Sequence, residues 1–292
     1  MNYQKSIRFV VSAFASCVLL ISLVPQSGIA QNQIVVLEHP DALLTQVFGI
    51  NDNDTAVGSY TTSDYRSHGF LWVAGQFTAT IDVPGALDTF AYGINNLGDV
   101  AGNYFDSNFR SHGFVVSKGT FTTIDYPDAR HTQAFYTNNR GQVFGAYDDQ
   151  DGAWQGFIYD GGRFTRISVP GAYNTFIYGG NDKGEFSGAY NAPNGPSSAT
   201  YYGLLGNSAG LTTFSYGAAA GLGQISNNGT AVGNYTDGYV VHGVILRNGA
   251  VTVYDVPGAN WTSLTGVNND GWLAGMYTDA SSQQHSFIRI PD

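Results

Sequence analysis

Between residues 88 and 126 the chain reads as four short apolar runs separated by polar turns. Thr89-Phe-Ala-Tyr-Gly-Ile94 is rich in β-formers and stops at Asn95-Asn-Leu-Gly98, a turn sequence. In Asp99-Val-Ala-Gly-Asn-Tyr104 the alternation puts Val100, Gly102 and Tyr104 on one face. Polar Asp106 to Ser111 ends that run, and His112-Gly-Phe-Val-Val116 begins a third. After the tight turn Ser117-Lys-Gly119 comes Thr120-Phe-Thr-Thr-Ile-Asp125, closed by Pro127. Four strands fill the segment and leave no room for a helix.

The same pattern recurs. Gly-x-Tyr stands at Gly58/Tyr60, Gly102/Tyr104, Gly145/Tyr147, Gly188/Tyr190, Gly233/Tyr235 and Gly275/Tyr277, with tyrosines 44, 43, 43, 45 and 42 residues apart. A period this regular is the signature of a repeat architecture. Runs such as Phe114-Val-Val116 and Val100-Ala-Gly102 are apolar or small on both faces, so each sheet must be covered on both sides. Four-stranded sheets packed radially meet that demand, which predicts a six-bladed β-propeller. A β-solenoid is the alternative, but its coils are shorter and do not reverse three times per repeat. Ile34-Val-Val-Leu-Glu38 matches the fourth strand of a repeat, and the final repeat stops at its third strand, His285 to Ile290. Closure of the ring by this N-terminal strand is therefore expected, with Val35 opposite Phe287. All-β chains of this size commonly form one domain, here residues 31–292.

With its strands placed, the repeat resembles the HAF repeat of bacterial extracellular proteins. His68-Gly-Phe-Leu-Trp72, Gly93-Ile-Asn-Asn-Leu-Gly98 and Val57-Gly58 carry the likeness, with Gly in place of the central Ala. The resemblance spans Ile34 to Ile290 and implies an exported repeat protein. It brings no catalytic residues with it.

Export also follows from the first thirty residues. Lys5 and Arg8 precede a largely apolar stretch from Phe9 to Val24, and Pro25-Gln-Ser-Gly-Ile-Ala30 supplies small residues before a cut. Residues 1–30 thus read as a signal peptide cleaved after Ala30, with secretion or periplasmic delivery to follow. Ser12, Ser16 and Ser22 interrupt the run, which argues against a retained anchor. Cys17 precedes Val18-Leu-Leu-Ile rather than following it, which argues against a lipoprotein box. This single cysteine would leave with the leader, taking any thiol chemistry with it. Asp and Glu total 22 against 12 Lys and Arg, a net charge of −10 that argues against a nucleic-acid partner. A monomer with no membrane span after cleavage is expected.

A residue present in every copy does the same local work in every copy. His68, His112, His242 and His285 resemble a metal-binding quartet, yet they share one repeat position, filled elsewhere by Gln155 and Tyr202. Imidazoles fixing loops through backbone groups account for them, and no metal site is assigned. Asp52-Asn-Asp54 and Asn181-Asp182 offer calcium-friendly oxygens without the spaced EF-hand pattern, so no cofactor is expected and calcium alone stays open.

Departures from the repeat carry more information about function. They gather in the second-to-third and fourth-to-first connections, which share one face. Asp128, Arg130, His131, Trp154, Tyr173 and Trp261 lie there and are the candidate ligand-binding residues. Aromatic rings among Asp, Asn and Arg suit a sugar, whose C–H faces stack while its hydroxyls bond. The expected function is an exported, non-catalytic module for a glycan or surface polymer. The alternative is a polysaccharide-active enzyme on the same face. A lyase would draw on His131, Tyr173 and Arg130, and a glycosidase on Asp88 and Asp128. His-Glu-x-x-His does not occur in the chain.

Overall fold

The repeat folds as its alternation predicts. The computed structural model describes residues 33–191 and 200–291. The leader with Cys17, and most of the Asn191 to Tyr201 segment, lie outside the described residues. Within them every regular element is a β-strand, grouped into six four-stranded antiparallel sheets. These are the blades of a six-bladed propeller, and the solenoid is set aside. In blades one to five the strands follow in sequence order from the axis outward. Their inner strands are Leu44–Ile50, Asp88–Ile94, Thr132–Thr137, Thr175–Gly180 and Ala219–Ile225, and that of blade six is Trp261–Val267.

Blade six takes its outermost strand, Gln33–Leu37, from the other end of the chain, paired antiparallel with Gln284–Ile290. Val36 lies opposite Phe287 and Val35 opposite Ile288, one residue from the expected register. Burial decides the register. Residues directly opposite share a face, and Val35 joins Ile288 and Leu37 in the cluster packed against blade one. Ile34 takes the other face, beside Phe287.

The core lies between blades. Val57, Ile81, Ala91, Ile94, Val100 and Phe114 form one such layer, shared by blades one and two. Four of its five fully buried phenylalanines among the described residues recur at one repeat position: Phe70, Phe114, Phe157 and Phe287. This Phe explains the Gly of Gly-x-Tyr, its partner across the sheet. A Cβ on Gly102 would fall 2.7 Å from the Phe114 ring and 2.0 Å from the carbonyl oxygen of Phe90.

At the end of each inner strand the Asn turns interlock. The Asn51 side chain donates to the Asn95 carbonyl, Asn95 to Asn138, Asn138 to Asn181, and Asn181 to Ser226, at 2.9–3.1 Å. Asn268 donates to Asn51 and closes the seam between last blade and first. Asn51 Oδ1 also accepts the backbone N–H groups of Asn53 and Thr55, folding its own turn. The turns are thus inter-blade clasps as well as reversals.

Candidate functional site

The six inner strands surround the axis, and a β-bulge or register shift interrupts each of them. A bulge re-aims a side chain, and the residues in the bulges are Phe48, Tyr92, Phe135, Tyr178, Gly223 with Gln224, and Thr265. The four aromatics form a continuous arc across blades one to four, with ring centroids 5.0, 5.5 and 4.9 Å apart in order. Gly223 and Thr265 interrupt the arc at blades five and six. Space is left there instead of a ring.

One level deeper the axis is blocked. Gly49, Gly93, Gly179 and Gly266 occupy four of the six places; backbone from the next blade leaves the first three no room for a Cβ, and at Gly266 a Cβ would fall 2.9 Å from Gln224 Oε1 and 3.1 Å from Gly49 Cα. Tyr136 and Gln224 fill the other two. Gln224 crosses the axis, donating to the Ile50 carbonyl oxygen at 3.0 Å and meeting the Tyr136 hydroxyl at 3.4 Å. The result is a blind pocket of about 460 Å³, with an aromatic wall on one side and small residues on the other. Its polar groups are amides and hydroxyls, among them Gln224, Asn234, Ser263 and Thr265, and no acidic or basic side chain lines it among the described residues. Burial raises the Tyr92, Tyr136 and Tyr178 phenols above the ordinary tyrosine range, so they stay neutral.

The six sequence candidates scatter around this pocket. Trp154 stands nearest to its wall: its ring lies 5.8 Å from Phe176, which stacks 5.8 Å from Tyr178. Trp261 opens the inner strand of blade six, two and four residues before Ser263 and Thr265 of the lining. His131 is tied up. Its Nδ1 accepts the Ser111 N–H at 3.0 Å, so in the neutral ring Nε2 carries the proton, and that geometry does not suit a general base. Asn174 at the equivalent place accepts the Trp154 N–H, and Asp88 accepts that of Ser67. Asp128 is exposed at φ 63°, where three of the other Pro-x turns have Gly85, Gly171 and Gly258 at positive φ. Arg130 is exposed, with its carbonyl taking the Arg110 Nε–H. Tyr173 is half-buried in its connection. Neither Asp88 nor Asp128 lines the pocket.

The histidine quartet holds loops, but through carboxylates and not the backbone groups expected from sequence. His112 sits between Asp125 at 2.9 Å and Asp106 at 3.5 Å, and His285 between Glu38 at 2.8 Å and Asp279 at 3.4 Å. His242 bridges Asp255 and Asp237, and His68 bonds Asp82. Each ring also stacks on the tyrosine of Gly-x-Tyr, about 5 Å away. Gln155 keeps one arm of the clamp by donating to Asp149. No three His, Cys, Asp or Glu side chains among the described residues form a metal-binding group.

The pocket owes its opening to blade five, which the sequence reading did not single out. From outer to inner strand, Ile124 to Thr132 is eight positions, but Phe214 to Ala220 is six. In the other blades a threonine at this point accepts the N–H six residues before it, as Thr89 does from Val83 at 3.1 Å. Blade five has Ala220 there and no Pro-x turn. The signal was in the sequence, as a deletion and a run of small residues.

No family model matches the chain, and no curated protein matches it. Solved structures resemble it in fold. AofleA from Arthrobotrys oligospora superposes with a TM-score of 0.55 at 12% identity, over 88% of this chain and 86% of its own. The Aleuria aurantia lectin, a six-bladed propeller that recognises fucose, gives 0.51 at 8% identity, over 84% and 91%. The β-propeller domain of the trilobed protease from Pyrococcus furiosus gives 0.51 at 10% identity, over 85% and 96%. At such identities the likeness is one of architecture.

Proposed function

We propose that this protein is an exported carbohydrate-binding propeller whose ligand, a neutral glycan, enters the blind axial pocket. The observation that carries the reading is the aromatic arc of Phe48, Tyr92, Phe135 and Tyr178 facing uncharged amides and hydroxyls. Aromatic faces stack on the C–H faces of a sugar, and amide and hydroxyl groups take its hydroxyls without the desolvation cost of a buried charge. The volume falls within the roughly 300–1,000 Å³ typical of small-molecule sites. The Aleuria aurantia lectin, of the same architecture, recognises fucose, which supports the carbohydrate class without fixing the sugar. The signal-like residues 1–30 support export. Proton-transfer chemistry finds little support, because the pocket's polar groups do not ionise near neutrality.

A glycan array with the mature protein tests the reading, followed by titration of hits against two variants. Tyr178→Leu removes a ring from the wall and should weaken binding about two- to tenfold, since an aromatic stack contributes about 0.5–1.5 kcal/mol beyond its area. Asp128→Gly restores the residue the turn prefers and should leave affinity unchanged. Loss of binding in Asp128→Gly with none in Tyr178→Leu would move the site to the outer loops. Product analysis on the same hits separates a binder from a lyase or glycosidase.

A further inference from the structure

A strand glycine usually has a reason inside the chain. Either its φ is positive or a neighbour leaves no room for a Cβ. Among the described strand glycines outside the positive-φ region, a Cβ meets another atom at 3.0 Å or closer at almost every position. Gly221 is the exception. Its Cβ would touch only Ala189 Cβ, at 3.7 Å, an ordinary contact. Gly221 lies on the inner strand of blade five, where the other blades place Gln46, Phe90, Gln133, Phe176 and Ser263. Four of those five are large. Nothing in the fold requires blade five to give up a side chain here.

The space so left is continuous with the axial pocket. Its lining runs from Phe48 and Phe135 at the axis, past Gly221 and Ala219, to Asn234 and Thr236 on the second strand of blade five and Val241 on the third. Two strand spacings separate the inner strand from the third, on the order of 10 Å. The shortened connection before Ala220 leaves this branch uncovered. Asn234 donates to Ser263 Oγ at 2.8 Å, so one amide hydrogen and its oxygen remain to serve a ligand.

We propose that Gly221 is a specificity-determining residue: the branch over blade five receives a second sugar residue while the terminal one lies against the aromatic arc. The protein then reads the end of a neutral oligosaccharide and not a lone monosaccharide. The blind floor at Gln224 and Tyr136 enforces this, because an internal segment cannot pass through a closed channel. This inference rests on the carbohydrate reading of the same pocket.

The experiment compares, by calorimetry, a neutral oligosaccharide taken from the array with the methyl glycoside of its terminal residue. The wild-type protein should prefer the oligosaccharide about tenfold or more, the factor that corresponds to ~1.4 kcal/mol. Gly221→Gln rebuilds the side chain of blades one and three and should bring the ratio near one, with Gly221→Ser, the residue of blade six, intermediate. Thermal melts check that both variants fold. An unchanged preference in a folded Gly221→Gln overturns the inference and leaves the carbohydrate reading standing, as does a wild type that binds both sugars equally. Binding of no neutral glycan overturns both.

Discussion

The repeated histidine is where one residue type sets a solution property. Its clamps contain carboxylates below their ordinary range: Asp279 is held at about 2 by the Ser281 hydroxyl and the Gln283 N–H, and Asp237 is lowered by the N–H groups of Val240 and Tyr239. The hydrogen bond to Asp255 raises His242. At His285 burial pulls downward, but the Glu38 and Asp279 carboxylates outweigh it. A raised histidine contributes stability that is fully present below its unfolded value near 6.5 and is lost as pH rises through the folded value. A lowered carboxylate contributes above its unfolded value near 4 and loses that contribution as pH falls through the folded one. The clamps are strongest between these limits, so the melting temperature should be higher at pH 5.5 than at pH 8. In His242→Gln/His285→Gln the difference should shrink, since Gln155 shows that an amide keeps an arm of the clamp without titrating. An undiminished difference would locate the pH response elsewhere.

The element that holds the ring together is the asparagine turn. Asn138 receives the Arg140 and Gln142 N–H groups on its Oδ1, and its Nδ2 donates to the Asn181 carbonyl at 3.1 Å. Truncation would remove the hydrogen bonds to those three partners, each worth about 0.5–1.5 kcal/mol net. Asn138→Ala should therefore lower stability by about 2–4 kcal/mol in urea unfolding, summing those partners. Asn139→Ala loses the Nδ2 donation to Asp182 and the Oδ1 that accepts the Asn96 N–H, both nearer to solvent, and should cost less. Equal costs would mean that the clasp adds nothing beyond the local turn. The bulges are elements of another kind. They cost pairing in every blade and return it as side chains aimed at the axis.

At the scale of the whole molecule, closure is the controlling feature. The strand Gln33–Leu37 covers the outer edge of blade six and places Leu37 in the core beside Val47 and Ile288. Deleting residues 31–40 should expose an edge strand that invites pairing between molecules. Size-exclusion chromatography with light scattering should show aggregates where the full mature chain gives a single species. A monodisperse deletion variant would mean that the ring does not depend on its closing strand.

Much of this architecture was already written in the sequence. The alternation of Val100, Gly102 and Tyr104, the six Gly-x-Tyr copies and the unpaired strand at each end determine blade, number and closure, because each follows from local periodicity and from the need to bury both faces of a sheet. The register of the closing strand, one residue from expectation, depended on which face of Val35 blade one would bury. The pocket was beyond sequence reading for a related reason. Whether Phe48, Tyr92, Phe135 and Tyr178 face the axis or pack between blades depends on bulges within each blade and on inner strands of neighbouring blades, more than forty residues apart, meeting at close quarters. A glycine likewise reads the same whether crowded, as Gly93 is by Tyr136, or beside open space, as Gly221 is. Local pattern determined what each blade is, and only the closing of six blades around one axis decided what space they leave between them.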